Sequence, residues 1–405
     1  MTALRSYILV TAAYWGFTLT DGALRMLVLL HFHALGYSAV QVAFLFLLYE
    51  FFGVVTNLIG GWIGSCLGLK VTLYSGMSLQ IFALSVLAIL NPAWSPLFSV
   101  CYVMGCQALS GIAKDLTKMS SKSAIKLLIP EGADSTLFRW VAMLTGSKNA
   151  LKGFGFFLGG ILLATVGFKI ALWLMAAGLA LVLLVSFISL PSDIGMLSKK
   201  TKFSTILSKS RDINLLSAAR LFLFGSRDIW FVVGLPVFLT ANLNWSHTQV
   251  GGFLALWVIG YGGVQALAPR LLAAVLGAES PRGGTASIGA FVLAVLTSLI
   301  AIGVSLQFSP WVTVVTGLGL FGVIFAINSS VHSYLILAYT GHDDVALNVG
   351  FYYMANAAGR LVGTLLSGVV FQLAGLVGCL WVSAGFVLLA GGISLFLPRR
   401  GQVST

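Results

Sequence analysis

The sequence predicts an all-α integral membrane protein, with twelve transmembrane helices forming two pseudo-symmetric six-helix halves. Three observations predict it. The 405 residues are 59% hydrophobic and only 8% charged, and the mean hydropathy is +1.00. The apolar residues fall into twelve blocks, each of about 20 residues or more, the length that crosses a hydrocarbon core. The strict alternation of a transmembrane barrel strand is missing. An internal offset of 208 residues returns Ser38-Ala39-Val40-Gln41-Val42 as Ser246-His247-Thr248-Gln249-Val250, and also relates Gly155 to Gly363, Gly160 to Gly368, Gly167 to Gly375 and Lys152 to Arg360. Such an offset marks a repeated six-helix unit. The expected division is residues 1–190, a cytoplasmic linker at 191–212, and residues 213–405.

Span 1, about Tyr7 to His31, places Tyr14, Thr18, Asp21 and Arg25 on one face, which should look into a cavity; an intrahelical Asp21–Arg25 pair is the plainer alternative. Span 2, about Ala39 to Gly64, carries Glu50 near its middle, where a glutamate is either paired or proton-carrying. The loop after it, Gly60 to Lys70, is similar to the major facilitator signature Gly-x-Leu-Ala-Asp-Arg-x-Gly-Arg, with Ser65 and Cys66 in place of its Asp-Arg pair. Spans 3 (Val71 to Leu90) and 4 (Pro96 to Ala113) follow. Lys114, Lys118, Lys122 and Lys126 then repeat every fourth residue. The last three read as a solvated or headgroup-facing stripe, whereas Lys114, the deepest, is placed to meet an anion.

Span 5, about Leu137 to Val166, holds Lys148 and Lys152 four residues apart, on the face that carries Val141, Thr145, Gly155 and Gly159. Cations beside residues with no bulk make a slot for an anion. Gly155-Phe156-Phe157-Leu158-Gly159-Gly160 resembles the Gly-Pro-x-x-Gly-Gly motif of facilitator-superfamily antiporters, with Phe156 at the proline position. Span 6 ends near Leu190. Span 7, about Ile213 to Leu239, places Arg220 and Arg227 on one face with Asp228 adjacent. Span 8 ends near Pro269, and Gly277 to Gly284 forms a short loop. Spans 9 (Ala286 to Leu306) and 10 (Trp311 to Leu335) carry little polarity before Asn328 and His332, the latter either an interior histidine or a proton carrier. Gly317, Gly319 and Gly322 match a dinucleotide fingerprint in spacing only; they lie in an apolar helix and read as helix packing. Span 11, about Leu347 to Phe371, lines Tyr353, Asn356, Arg360, Thr364 and Ser367 on one face, a second polar slot. Span 12 finishes at Leu397.

The net charge of +12 speaks for orientation rather than nucleic acid. Arg5, Lys70, the runs Lys118 to Arg139 and Lys199 to Arg211, Arg270, Arg282, Arg399 and Arg400 fall in loops of one side, and Lys169 is the only basic residue in a loop of the other. Both termini are therefore expected on the cytoplasmic side of a bacterial inner membrane. The first apolar stretch contains Asp21 and Arg25 and lacks a small-residue cleavage site, so it reads as a retained helix. Four cysteines, Cys66, Cys101, Cys106 and Cys379, form neither a disulfide framework nor a metal motif. The sequence offers no nucleotide-binding loop and no nucleophile-and-base arrangement, which argues against an enzyme, and it calls for no cofactor. A monomer needs no extra assumption.

Inside the spans, Arg25, Lys148, Lys152, Arg220, Arg227 and Arg360 face Asp21, Glu50 and Asp228. Six unpaired bases would cost roughly 15 to 20 kcal/mol at about 2.5 to 3.5 kcal/mol each, and three acids cannot pair them all. A water-filled cavity that waits for a substrate with several negative charges explains the excess. Arginine forks suit tetrahedral oxyanions, and lysine adds point charge. Energy would come from a proton or an exchanged anion, with Asp21, Glu50 and Asp228 as proton sites or counter-ions.

Several longer strings carry a resemblance over nearly the whole chain. They are Thr18-Leu-Thr-Asp-Gly-Ala-Leu-Arg25, Ser110-Gly-Ile-Ala-Lys-Asp115, Ser121-Lys-Ser-Ala-Ile-Lys126, Leu144-Thr-Gly-Ser-Lys-Asn-Ala-Leu-Lys152, Arg227-Asp-Ile-Trp-Phe-Val-Val233 and Gly350-Phe-Tyr-Tyr-Met-Ala-Asn356 with Gly359-Arg360. These resemble the ArsJ family of organoarsenical efflux permeases in the major facilitator superfamily. The resemblance implies export of 1-arseno-3-phosphoglycerate, made when glyceraldehyde-3-phosphate dehydrogenase uses arsenate in place of phosphate. Outside the cell the compound hydrolyses back to arsenate, so transporter and dehydrogenase together confer arsenate resistance. The symmetry expectation assigns one oxyanion to Arg25 and Arg227 and the other to Lys148, Lys152 and Arg360, with Asn356 and Tyr353 orienting the glycerate. Trivalent arsenic would need converging thiols, and Cys101 and Cys106, five apart, do not share a helix face. An exchanger of phosphorylated three-carbon acids would use the same cations. A proton-driven exporter of hydrophobic drugs fits the basic excess poorly, and a non-transporting sensor leaves the mid-membrane charges without a purpose.

Overall fold

The computed structural model describes residues 3–37, 45–130, 132–190, 210–245, 247–277, 280–341 and 344–398. Outside them lie the repeat string Ser38 to Val42 with the start of span 2, Ser246, most of the 191–212 linker, part of the Gly277 to Gly284 loop, and Arg399 and Arg400. Every regular element among the described residues is a helix: α1 (Ala3–Ala34), α2 (Leu47–Leu67), α3 (Leu69–Leu87), α4 (Pro96–Leu128), α5 (Asp134–Ser189), α6 (Arg211–Phe231), α7 (Gly234–Ala241), α8 (His247–Leu276), α9 (Gly283–Ser305), α10 (Pro310–Ala338) and α11 (Val345–Ser394). Eight stretches among the described residues are long and apolar enough to cross a membrane.

Two of these stretches are span pairs joined without a loop. α5 runs for 56 residues and breaks at Gly167 (φ 76), and α11 runs for 50 and breaks at Gly375 (φ 61). These are the glycines that the 208-residue offset pairs. A positive φ comes at little steric cost only without a Cβ, which is why glycine stands at both breaks.

Three local readings need correction. The stretch from Gly60 to Lys70 is not a loop: α2 continues to Leu67, and Gly68 (φ 85) alone separates it from α3. Span 8 does not stop at Pro269, because α8 carries that proline inside it and runs on to Leu276, a tolerance seen in membrane helices. Span 7 is broken, with α6 ending at Phe231 and α7 starting at Gly234. The freed amides of Val233 and Gly234 both donate to Ser367 Oγ at 3.2 Å, so these two donors are not stranded.

The chain divides into two compact units. Unit 1 comprises Met1–Gly132, Ser147–Leu207 and His342–Met354, and unit 2 comprises Ala133–Gly146, Ser208–Gly341 and Ala355–Thr405. In unit 1, α4 starts at a Ser95 cap, whose Oγ accepts from the Phe98 amide at 3.4 Å, with Pro96 as first helical residue. It packs along α2 and α3 and against α1, around a core that includes Leu27, Phe32, Leu84 and Val103. In unit 2, α10 packs on α9 and α8. Trp230 sits there edge-on to Phe321 at 5.1 Å and to Trp257 at 5.9 Å, and the Trp257 indole donates to the Leu318 carbonyl at 2.9 Å. Large apolar side chains such as Ile8, Phe157, Ile188, Val295 and Leu373 stay exposed, as a lipid-facing surface requires.

Candidate functional site

The charged residues of unit 1 are positioned by a close helix crossing. A Cβ on Gly155 would lie 2.7 Å from the Leu19 carbonyl oxygen, one on Gly159 2.3 Å from that of Ala23, and one on Gly22 2.7 Å from that of Lys152. Small residues therefore let α1 and α5 touch backbone to backbone. The crossing sets the half-buried Lys152 against Gly22, next in chain to Asp21, with Lys148 one turn earlier on α5. Asp21 is buried and its Oδ1 accepts from the Tyr49 hydroxyl at 2.6 Å. Arg25 does not pair with Asp21 within the helix. It turns to Glu50 on α2 at 3.5 Å, with its guanidinium 5.2 Å from the Phe46 ring centroid and 5.7 Å from that of Tyr49. Glu50 is thus ion-paired to Arg25 across the two helices.

Unit 2 repeats the device with arginine. A Cβ on Gly359 would lie 2.1 Å from the Leu221 carbonyl oxygen, and one on Gly363 2.5 Å from that of Gly225. The α6–α11 crossing is therefore as tight as the one in unit 1. It brings Asp228 between two cations: Oδ1 accepts from Arg227 Nε and Nη2 at 2.7 and 2.5 Å, and Oδ2 accepts from Arg360 Nε at 3.1 Å. Asp228 is buried, whereas the side chain of Arg360 is 29% exposed. Arg220 and Arg227 share a face as expected, with guanidinium carbons 3.8 and 5.2 Å from the Phe224 centroid. Arg220 is buried and hydrogen-bonded. Its Nε donates to Asn356 Oδ1 at 2.9 Å and its Nη1 to the Ser329 carbonyl and Oγ at 3.1 and 3.2 Å, while Gln265 Nε2 donates to the same Ser329 Oγ at 3.1 Å. Held this way, Asn356 turns its amide donors away from Arg220. His332 is fully buried, and among the described residues neither of its ring nitrogens has a hydrogen-bond partner; the same holds for the side-chain amide of Asn328 one turn earlier.

The sequence reading missed one group on α4. Lys118 and Lys122 do not face solvent or headgroups. Lys122 is 4% exposed and donates to the Tyr353 hydroxyl. Lys118 pairs with the buried Asp115, which also binds Lys114 at 3.6 Å. A polar helix end can stay inside because its hydroxyls are satisfied locally: Thr117, Ser120 and Ser121 each donate to the carbonyl four residues earlier, at 2.8 Å. That run of Thr and Ser between the lysines was the available signal. Cys101, Cys106 and Cys379 are free thiols. A groove of about 430 Å³ lined by Tyr74, Ser78, Ala180, Leu183, Leu184 and Phe187 carries no charged side chain.

No family model matches the chain, and no curated protein matches it. Solved structures do. The human organic anion transporter MFSD10 (TETRAN) superposes with a TM-score of 0.73 at 17% identity, over 97% of this chain and 100% of that one. The proton:xylose symporter XylE gives 0.76 at 13% identity, over 99% and 97%, and the E. coli fucose:proton symporter FucP gives 0.72 at 12%, over 98% and 99%. The chain has the major facilitator fold.

Proposed function

We propose that this chain is a secondary active exporter of a small organic polyanion, and that 1-arseno-3-phosphoglycerate is its substrate. The observation that carries the reading is Asp228 shared by Arg227 and Arg360 in unit 2. Two arginine forks on one carboxylate are already arranged for a ligand with two oxyanion oxygens. Arg227, Arg360 and Asn356 are the proposed binding groups of unit 2, with Arg220, which fixes Asn356, and His332 as further candidates. Arg25, Lys114, Lys148, Lys152 and Tyr353 are those of unit 1, and Asp21, Glu50 and Asp228 serve as counter-ions or proton sites. The similarity to an organic anion transporter supports an anionic substrate, and the residue strings that resemble the ArsJ family support arsenic. On this reading the chain is two six-helix halves, 1–190 and 213–405, in a bacterial cytoplasmic membrane with both termini inside. It works by alternating access, and glyceraldehyde-3-phosphate dehydrogenase supplies the substrate.

Inside-out membrane vesicles test this directly. With the dehydrogenase, its nicotinamide cofactor, glyceraldehyde 3-phosphate and arsenate outside, vesicles containing this chain accumulate arsenic, and omission of the dehydrogenase abolishes it. Uptake of 3-phosphoglycerate with no uptake of arsenic would replace this substrate by phosphorylated three-carbon acids, which the same cations serve.

A further inference from the structure

The Lys114–Asp115–Lys118 group of α4 repeats, inside unit 1, the pattern of a buried aspartate held by two cations. Asp115 is 2% exposed; its Oδ2 lies 3.6 Å from Lys114 Nζ and its Oδ1 binds Lys118 Nζ. The two lysines stand one turn apart, about 6 Å along the helix backbone, and each ammonium also faces an aromatic ring. Lys114 Nζ is 3.8 Å from the Tyr49 centroid and Lys118 Nζ 4.7 Å from that of Tyr353. The floor of the group is Gly53 on α2, where a Cβ would lie 2.8 Å from Asp115 Oδ2 and 4.0 Å from Lys114 Nζ. Any side chain at position 53 would fill the space the carboxylate uses. Two half-buried ammoniums on one carboxylate leave the group with one positive charge more than it neutralises, on side chains that keep 16% and 13% exposure.

We propose that Lys114, Lys118 and the Gly53 floor form a binding site for a tetrahedral oxyanion of the phosphate or arsenate type, in which Asp115 stands as an internal competitor. This rests on the anion-exporter reading and adds to it Lys118, which the sequence reading assigned to solvent or headgroups, beside Lys114, which it placed to meet an anion. The carboxylate engages the two ammoniums through separate oxygens, and an O–P–O or O–As–O edge offers the same two-point contact. The oxyanion replaces the carboxylate between the ammoniums. Removal of the carboxylate charge therefore strengthens binding, an outcome that misfolding cannot imitate.

The test uses the full-length chain in phosphatidylcholine nanodiscs, with inorganic phosphate and inorganic arsenate as titrants. Asp115→Asn should bind either ion about tenfold more tightly than the unsubstituted chain. Adding Lys118→Gln to Asp115→Asn should abolish the gain, and Lys118→Arg in that background should keep it. Gly53→Ala should weaken binding in both backgrounds. Discs containing phosphatidylglycerol distinguish a lipid source: a gain lost only there supports the site and assigns it to a headgroup phosphate. If Asp115→Asn, melting as a folded protein, binds no more tightly, the site is wrong, whatever the vesicle assay gives. If the vesicles carry no arsenic but Asp115→Asn gains affinity, the exporter reading falls and the site stands.

Discussion

Arg220 shows how a mid-membrane cation can be structural. Its guanidinium is buried and bonded to Asn356 and Ser329, so Arg220→Ala strands two polar partners. Charge-assisted bonds of this kind contribute about 1.5 to 3 kcal/mol each. Arg220→Ala should lower the melting temperature of the purified protein by several degrees, and Arg220→Lys should recover only part of it, because the ammonium lacks the fork that reaches both partners. An unchanged melting temperature would refute the positioning role. At this scale the sequence showed which bases lie within the spans and not what they touch. Asp21 reaches Tyr49 and Arg25 reaches Glu50, both on α2, and an in-helix spacing cannot report a partner on another helix. Lys118 and Lys122 were misread because a lysine every fourth residue at a helix end is also what a cytoplasmic boundary looks like.

The helices are set by glycines that admit another backbone. The 208-residue offset picked out Gly155 with Gly363 and Gly167 with Gly375. The first pair stands at the tight crossings and the second at the positive-φ breaks. Gly159→Ala and Gly359→Ala should each cost about 1 to 3 kcal/mol by forcing packed helices apart, seen as loss of monodisperse protein on size exclusion. Gly178→Ala, where a Cβ meets nothing within 4 Å, should elute unchanged. Equal behaviour of all three would contradict the packing argument. The break of span 7 was not legible, since Val232 and Val233 continue an apolar run and the Ser367 hydroxyl that accepts the freed amides comes from α11. The Gly60 to Lys70 stretch misled in the other direction, because its glycines suggested a loop where a single residue, Gly68, makes the turn.

For the whole molecule, composition and apolar block length were enough to give the all-helical membrane fold, since a lipid solvent leaves few alternatives. Substrate identity is harder, because phosphate and arsenate present nearly the same oxygens to an arginine. At this scale we propose that the chain exports a pentavalent arsenical made inside the cell. The most direct test is arsenate resistance in an arsenic-sensitive bacterium carrying this chain with or without a co-expressed glyceraldehyde-3-phosphate dehydrogenase, beside Lys148→Ala, Lys152→Ala and Arg360→Ala at matched membrane levels. Resistance is expected only when chain and dehydrogenase are both present, and is lost in the cation variants. No resistance despite good membrane expression, or full resistance in all three variants, would contradict it.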